Sequence, residues 1–367
     1  MDHEAGLRAV LGASASLITD PQITLSYSKD QAPFAAHEAA AIVLLAKSTE
    51  EVAKAVAYAN THNIPVVPRG AGSGLSGGAN ATSSSLVISL EKMNKIIELD
   101  TTNLIARVEA GVINLDLDKA AEEHGLAYLP DPASRDWSTI GGNAATNAGG
   151  MCCVKYGVTS AHVRALTVVM ADGQVIQLGS ATKKAVTTLD LTRLMIGSEG
   201  TLGIITEIVV GLAVRPATPA TIIATFPSIK NAAAAAAALL RFRPSMLEII
   251  DQTTLKAVEA WHPLGFEVAD SVLLMQLDED QERADEVLDL CQSFEMIDGG
   301  VDLSIAIHSK IYWEGVCDCF VRSQADSPLV TVAYPFSGRR EVTERGVLYC
   351  TTGVAIVKNG LSDSLAI

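Results

Sequence analysis

No apolar run in the 367-residue sequence approaches the roughly 20 residues that a membrane-spanning helix needs, so we expect no transmembrane segment. Positive charge is also scarce, because 27 Lys and Arg stand against 42 Asp and Glu, for a formal net charge of -15. This balance argues against sequence-independent nucleic-acid binding, which needs basic side chains to neutralise phosphates. It also argues against an anionic membrane surface as a partner.

Cysteine is sparse, with six residues that have no regular spacing. Such usage is typical of a reducing compartment and not of a disulfide framework. The N-terminus, Met1-Asp2-His3-Glu4, lacks the basic start of a signal peptide, so we expect a cytoplasmic protein. With 49% hydrophobic and 19% charged residues, the chain can bury a large core, and its length suits two domains.

The most informative stretch follows the apolar run Ile64–Val67, which predicts a strand. Residues 68–78 read PRGAGSGLSGG, with a glycine at nearly every second position. Glycine has no Cβ and accepts positive φ, so the backbone can wrap closely around a ligand and direct several N–H groups towards it. A nest of amides of this kind suits a phosphate or pyrophosphate.

Two alternatives remain for this loop. Gly72, Gly74 and Gly77 also fit the GxGxxG fingerprint of a nicotinamide-binding Rossmann unit, which requires a helix to begin at the loop. Residues 79–85 read ANATSSS, which favours a helix poorly, and Leu86–Leu90 predicts another strand. The strand–loop–strand context therefore favours a pyrophosphate cradle over the Rossmann alternative or an ordinary glycine-rich turn.

Two further segments rich in small residues follow. Residues 129–150 run from LPDPAS to TIGGNAATNAGG, and their small side chains let the backbone approach an extended ligand while hydroxyl and amide groups hydrogen-bond to it. The alternative is a surface loop rich in turn formers. Residues 197–206 read GSEGTLGIIT and lead into a strand predicted over Ile204–Val210, where the alternative is a glycine-bounded turn.

With these three segments in order over about residues 36–216, the chain resembles the FAD-linked oxidases related to vanillyl-alcohol oxidase and p-cresol methylhydroxylase (PCMH). It is most similar to the branch of glycolate oxidase flavin subunits and D-lactate dehydrogenases. The resemblance implies an α+β fold with a PCMH-type FAD-binding domain of two α+β subdomains over 36–216. It further implies an incomplete ferredoxin-like α+β C-terminal substrate (cap) domain over 217–298, followed by a divergent or frame-shifted tail over 299–367.

The resemblance also implies which residues contact FAD. They are Pro68, Arg69, Gly70, Ala71, Gly72, Ser73, Gly74, Leu75, Pro132, Ser134, Thr139, Gly141, Gly142, Ala145, Thr146, Asn147, Gly149, Tyr156, Gly157, Val163, Glu199, Gly200, Leu202, Gly203, Ile204 and Ile205. Some relatives attach flavin covalently through a residue of the first loop, but no histidine occurs in Gly70–Gly78. We therefore expect non-covalent FAD, and no metal.

The implied reaction is hydride transfer to flavin from the hydroxyl-bearing carbon of a 2-hydroxy acid of the D-lactate or glycolate type. An external electron acceptor would reoxidise the flavin, and further subunits are left open as partners. The His-x-His-x-Gly-Asp-Gly type of segment that this branch carries in its C-terminal domain is absent from the sequence, so no catalytic residue is assigned. A non-catalytic or partner-dependent flavin-binding subunit and a nicotinamide dehydrogenase are the alternatives.

Other reactive side chains point to no site of their own. His162 is predicted to be a packed residue and not a general base. A zinc site from Cys317, Cys319, Cys350 and His308 fits poorly, because structural zinc sites favour cysteine pairs separated by two to four residues.

Local patterns predict much of the secondary structure. Residues 4–18 are predicted to be helical, and Ser48 followed by Glu51 predicts a capped helix start. After residue 216 the predicted order is strand, helix, strand, strand, helix, with the helices over 228–242 and 278–291. This order is consistent with the ferredoxin-like arrangement.

Overall fold

The computed structural model describes residues 2–32, 35–186, 189–217, 219–261, 270–278, 281–301, 331–333, 347–349 and 355–357. The chain divides into two compact units. Unit 1 comprises residues 1–129, 134–148 and 158–215. Unit 2 comprises residues 130–133, 149–157 and 216–367.

The elements are numbered in chain order. The α-helices of the described residues are α1 (His3–Leu11), α2 (Pro21–Thr24), α3 (Thr49–Thr61), α4 (Asn114–Glu122), α5 (Ile140–Thr146), α6 (Cys153–Tyr156), α7 (Leu191–Met195), α8 (Ile229–Leu239), α9 (Gln252–Trp261) and α10 (Ala284–Gln292). The strands are β1 (Leu17–Ile18), β2 (Ile42–Leu45), β3 (Val66–Arg69), β4 (Leu86–Ser89), β5 (Ile96–Asp100), β6 (Ile105–Glu109), β7 (Leu126–Ala127), β8 (Val163–Val169), β9 (Val175–Gly179), β10 (Ile204–Gly211), β11 (Ala213–Val214), β12 (Ala220–Phe226), β13 (Met246–Asp251), β14 (Ser271–Leu277), β15 (Asp298–Val301), β16 (Thr331–Ala333), β17 (Val347–Tyr349) and β18 (Ala355–Val357).

Unit 1 contains two larger sheets. The four-stranded sheet has the order β1-β2-β4-β3, in which β4 runs parallel to both of its neighbours and β1 runs antiparallel to β2. The five-stranded sheet, β5-β6-β10-β8-β9, is antiparallel throughout. Both sheets contribute to one hydrophobic core, with Leu44 and Ile88 from the first and Val108 and Ile208 from the second. The α+β architecture expected for this part of the chain is confirmed.

Unit 2 contains a four-stranded antiparallel sheet with the order β13-β14-β12-β15. Taken along the chain, β12, α8, β13, β14, α10 and β15 form the ferredoxin-like β-α-β-β-α-β arrangement, with α9 inserted after β13. Helices α8 and α10 contribute Ala232, Leu239 and Val287 to a core beneath Phe226 and Leu273 of the sheet. The ferredoxin-like expectation is confirmed, and β15 supplies a fourth strand that the sequence pattern does not predict.

The predicted helix over residues 4–18 is wrong in its second half. Helix α1 ends at Leu11, because Gly12 follows with a φ of 97° and turns the backbone out of the helix. Residues 17 and 18 then form β1, which pairs antiparallel with β2 at Leu44 and Val43. Helices often end at a glycine with positive φ, and Gly12 is such a residue.

Helix α10 begins at Ala284, six residues after the predicted start at 278. Asp278 instead follows β14, where its carboxylate is engaged by Lys155 and Tyr156. In the tail, β16, β18 and β17 form a three-stranded antiparallel sheet. The residues of the weak zinc alternative, His308, Cys317, Cys319 and Cys350, lie outside the described residues.

None of the helices in the part of the chain that the structure describes combines the length and apolarity needed to span a bilayer. Within that same part, His, Cys, Asp and Glu side chains do not gather in threes or more in a way that would hold a metal ion.

Candidate functional site

The first glycine-rich segment, residues 68–78, is called bend 1; it leaves β3 and leads towards β4. Residues 70–85 are all described, and no helix begins among them, so the Rossmann alternative lacks the helix that it requires. Gly72 and Gly77 take φ values of 76° and 84°, which glycine adopts readily. The backbone amides of residues 71–75 donate to no acceptor within the described part of the chain, so they are available to a ligand.

The second segment contains a short helix where the sequence analysis expects a loop. Thr139 caps α5, because its Oγ1 accepts a hydrogen bond of 3.1 Å from the amide of Gly142. A Cβ on Gly141 would lie 2.5 Å from the Cβ of Ala110, so this position must be glycine for the helix to pack here. Asn147 ends the helix with a φ of 50°. The helix was missed because glycine and threonine favour helices poorly, and tertiary packing overrides that propensity. Residues 139–147 are called bend 2.

Close backbone approach joins bend 1 to the other two segments, all within unit 1. A Cβ on Gly70 would lie 2.4 Å from Oγ1 of Thr139, at the start of bend 2. A Cβ on Gly200 would lie 2.3 Å from Cγ of Pro68, at the start of bend 1. Glycine is therefore required at both positions for the segments to approach this closely.

The third segment, residues 197–205, is called bend 3 and is also tied to bend 2. The amide of Gly197 donates to the carbonyl of Ala144 at 3.0 Å, and the amide of Glu199 donates to the carbonyl of Ala145 at 2.9 Å. Glu199 has a φ of 50°, unusual for a residue with a long side chain. Bend 2, which is part of the second segment, thus meets bends 1 and 3 in one region of unit 1.

The remaining predicted residues divide between the two units. Val163, Ile204 and Ile205 lie at the starts of β8 and β10 in unit 1, and a Cβ on Gly203 would lie 2.7 Å from a methyl carbon of Val168. Four predicted residues belong to unit 2, namely Pro132, Gly149, Tyr156 and Gly157. The structure therefore brings together within one unit the residues of bends 1, 2 and 3, but not these four.

Two stretches of the chain match families of known proteins. Residues 40–179 match the family described as FAD binding domain, and residues 215–309 match the family described as FAD linked oxidases, C-terminal domain. The chain carries an FAD binding domain and the C-terminal domain of FAD-linked oxidases. The first match contains all of bends 1 and 2. FAD is therefore the cofactor against which the geometry of these bends is tested.

Curated relatives match a large part of the chain. It is 42% identical over 239 residues to glycolate oxidase subunit GlcD of Bacillus subtilis, which covers 64% of this chain and 51% of that protein. It is 34% identical over 304 residues to D-lactate dehydrogenase of Anaerostipes hadrus, covering 80% of this chain and 64% of that protein. The chain thus spans between half and two thirds of the length of these relatives.

Solved structures agree on the fold. An alkyldihydroxyacetonephosphate synthase has a TM-score of 0.73 at 22% identity, covering 90% of this chain and 66% of that chain. A p-cresol methylhydroxylase with substrate bound has a TM-score of 0.71 at 18% identity, covering 86% and 72%. At these identities the likeness concerns the fold alone, and it agrees with the PCMH-type fold expected from the sequence.

Arg69, at the start of bend 1, is the cation nearest to the free amides in sequence. Its guanidinium donates to the carbonyl of Lys29 at 2.6 Å and contacts the carbonyl of Ala71 at 3.4 Å. Burial lowers the pKa of Arg69, and the negative charges of Asp30 and Glu91 oppose that shift. A half-buried guanidinium beside free main-chain amides fits a pyrophosphate, which carries two negative charges. The residues of bend 1 therefore fit the diphosphate portion of FAD.

A cavity of about 470 Å³ lies beside bend 1 in unit 1 and was not predicted from the sequence. Its lining residues are Ser26, Tyr27, Arg69, Gly70, Ala71, Glu91, Asn94, Ile96, Gly111, Val112, Ile113, Asp116 and Thr139. Burial raises the pKa of Tyr27, and the neighbouring carboxylate of Glu91 raises it further. The cavity shares Gly70, Ala71 and Thr139 with bends 1 and 2, so it is continuous with the region where they meet.

His162 is packed, in agreement with the sequence analysis. Its ring lies edge-on to the ring of the buried Tyr128, with the two centroids 6.2 Å apart. Burial lowers the pKa of His162 to about 4, and the positive charge of Arg164 contributes in the same direction. The imidazole is therefore neutral at neutral pH, and we assign it no role in catalysis.

Unit 2 has a buried polar cluster that the sequence did not indicate. Nζ of Lys155 lies 2.5 Å from Oδ1 of Asp278, and the two side chains are only 6% and 4% exposed. The hydroxyl of Tyr156 donates to Oδ2 of the same carboxylate. The cluster fixes α6 on the sheet of unit 2, because both donors belong to that helix and the carboxylate directly follows β14.

Proposed function

We propose that this chain is an FAD-dependent oxidoreductase that oxidises a 2-hydroxy acid of the D-lactate or glycolate type. The observation that carries the proposal is the meeting of bends 1, 2 and 3 in unit 1, with the amides of residues 71–75 unpartnered among the described residues. The names of the relatives, glycolate oxidase subunit and D-lactate dehydrogenase, support the substrate class.

In this proposal, the chain binds and orients the cofactor chiefly through its backbone. The amides of residues 71–75 and the guanidinium of Arg69 hold the pyrophosphate. Gly70 and Gly200 have no side chain at the points of closest approach, so bend 1 can lie close to bends 2 and 3. When bound, FAD supplies the hydride acceptor, and an external electron acceptor regenerates it. The remaining residues that the resemblance implies as contacts belong to the same proposal.

We also propose the domain limits that the resemblance implies: an FAD-binding domain over 36–216, a partial substrate domain over 217–298 and a divergent tail beyond. The cytoplasm is proposed as the location on cysteine usage alone.

Cofactor content tests the first half of the proposal. Protein purified without added cofactor is expected to be yellow and to show flavin absorbance. Denaturation should release the flavin into solution, because the attachment is non-covalent. Colourless protein that cannot be reconstituted with FAD would overturn the assignment. Binding of NADH in place of FAD would favour the nicotinamide dehydrogenase.

Turnover tests the second half. Reduction of dichlorophenolindophenol is measured with D-lactate and with glycolate, with the L enantiomer of lactate as the matched control. Dye reduction by either substrate, and none by L-lactate, is the expected result. If flavin-loaded protein fails to reduce the dye with every 2-hydroxy acid tested, the proposed reaction is wrong, although FAD binding still holds.

A second candidate is a flavin-binding subunit whose substrate site is completed by another chain. The observation that favours it is the name of a relative, glycolate oxidase subunit GlcD, which describes that protein as one subunit of its enzyme. Dye reduction that appears only when a co-purifying chain is added back would select this candidate.

A further inference from the structure

Asp30 is a buried carboxylate that the proposed function does not use. Its side chain is almost fully buried, with a residue exposure of 6%. Oδ2 accepts a hydrogen bond of 2.8 Å from the amide of Gly77, at the far end of bend 1. Oδ1 accepts one of 2.9 Å from the amide of Ala32. Both oxygens are thus engaged by backbone amides from two different segments of unit 1.

The backbone around Asp30 is fastened to bend 1 as well. The amide of Asp30 donates to Oδ1 of Asn80 at 2.8 Å. The amide of Gln31 donates to the carbonyl of Gly74 at 2.8 Å, within the bend itself. The carbonyl of Lys29 accepts from the Arg69 guanidinium at the other end of the bend. Residues 29–31 therefore touch the start, the middle and the end of bend 1, and we call them the brace.

A carboxylate next to a proposed anion site is unfavourable on charge alone, so its presence calls for a compensating effect. The compensating effect lies at Gly77. Glycine can adopt many backbone conformations, and the charge-assisted hydrogen bond from the Gly77 amide to the Asp30 carboxylate stabilises the one with positive φ. The negative charge of Asp30 also offsets the burial of Arg69. Both effects hold bend 1 ready before any ligand arrives.

We propose that Asp30 is a positioning residue for the pyrophosphate: it fixes the far end of bend 1 so that the free amides of residues 71–75 converge before FAD binds. This inference rests on the proposed function, because it names the residue that prepares the same site. Preorganisation of this kind raises affinity by removing the ordering cost of binding.

The test measures FAD binding to the apoprotein in a titration that is monitored by the quenching of flavin fluorescence. In Asp30→Asn the side chain keeps its size but has one acceptor oxygen for two amides, so either Gly77 or Ala32 loses its partner. FAD affinity is expected to fall by at least about tenfold, in line with the loss of one hydrogen bond to a charged group. Asp20→Asn is the matched control, because Asp20 also accepts from a backbone amide, that of Gln22, but is exposed and belongs to α2's cap. It should leave affinity unchanged.

A structural role without positioning would give a different pattern. If Asp30 positions bend 1, apo Asp30→Asn should still unfold in one cooperative thermal transition, a few degrees below wild type because one buried amide loses its partner, and amide hydrogen exchange should become faster across residues 70–78 and not elsewhere in unit 1. Asn80→Ala is the second variant; it removes the acceptor for the Asp30 amide, and also the donor to the carbonyls of Ala35 and Ala36, but keeps the carboxylate, so a smaller loss of affinity is expected. If both variants unfold without FAD, Asp30 serves general stability and the inference is wrong.

The outcomes also separate this inference from the proposed function. Wild-type protein that binds no FAD would overturn the proposed function. Wild-type protein that binds FAD, together with an Asp30→Asn variant of equal affinity and unchanged exchange in bend 1, would overturn only the role of Asp30.

Discussion

The hydroxyl of Ser76 donates a hydrogen bond of 2.9 Å to Oε2 of Glu199, joining two residues that are 123 positions apart in the sequence. Ser76 belongs to bend 1 and Glu199 to bend 3. Because the backbone of Glu199 has a positive φ, its side chain leaves the chain in a direction that an ordinary extended or helical residue would not give. This contact makes the geometry of one bend dependent on the other.

Ser76→Ala should loosen that dependence. The carboxylate of Glu199 would lose the Ser76 donor, and bend 1 would lose a tether that lies outside the amides proposed to bind pyrophosphate. We expect FAD affinity to fall roughly threefold to tenfold, which corresponds to the loss of one ordinary hydrogen bond, because solvent weakens this exposed contact. The measurement is fluorescence titration with FAD. Ser293→Ala, which removes an exposed hydroxyl bonded to the carbonyl of Leu290 in unit 2, is the control and should leave affinity as it is.

Gly200→Ala should destabilise the protein. Its φ of 78° suits glycine, and the new Cβ would lie 2.3 Å from the rigid ring of Pro68. A loss of about 1–3 kcal/mol in the free energy of unfolding is expected from strain and overpacking. Urea unfolding measures it. In the control Gly74→Ala the nearest heavy atom outside the neighbouring residues is 3.4 Å away and φ is ordinary, so unfolding should change much less. Equal losses in the two variants would contradict the crowding at Gly200.

His162 should make stability depend on pH in the weakly acidic range. Its pKa is about 4 in the folded chain, below the ordinary value near 6.5, so the unfolded chain binds the proton more strongly. The stability contributed by the neutral ring is complete above pH 6.5 and is lost as the pH falls towards 4. Between pH 7 and pH 5 the loss is about 2 kcal/mol.

Urea unfolding at several pH values measures this slope. His162→Gln should flatten it, whatever the variant costs at pH 7. His124→Gln, at an exposed position, is the matched control and should keep the wild-type slope. A slope that survives in His162→Gln would mean that other groups cause it.

Asp278→Asn should destabilise unit 2 strongly. The substitution removes the Asp278 charge from the buried Lys155 ammonium, and Tyr156 loses a charged acceptor. Breaking a buried pair from one side typically costs about 3–5 kcal/mol. Thermal unfolding followed by circular dichroism measures the effect. Glu286→Gln breaks an exposed pair with Arg283 in the same unit and should change unfolding little, since solvent screens such a pair.

Much of the fold could be predicted because local chemistry and tertiary structure agree. Ser48 does cap α3, with its Oγ accepting from the Glu51 amide at 3.2 Å. The β8 and β9 hairpin forms around the turn at Gly173, whose φ is 85°. Bends 1 and 3 were found because glycine density marks close backbone approach. Their FAD contacts, residue by residue, stay a prediction.

The rest could not be predicted because distant parts of the chain decide it. Helix α5 forms despite its glycines because Gly141 packs on Ala110, which lies 31 positions earlier in the sequence. Strand β15 contains two glycines and forms because β12 offers it a pairing edge. The role of Asp30 depends on the amide of Gly77, and nothing in the local sequence reveals that contact.

The position of β15 has a practical consequence. It lies alongside β12 from Val301↔Ile222 to Asp298↔Thr225, so β12 has neighbours on both sides. A version of the protein that stopped before Asp298 would turn β12 into an edge and uncover its row of amides and carbonyls. Exposed rows of this kind recruit strands from other molecules and lead to aggregation. Any shortened version made for study should therefore extend at least to Val301.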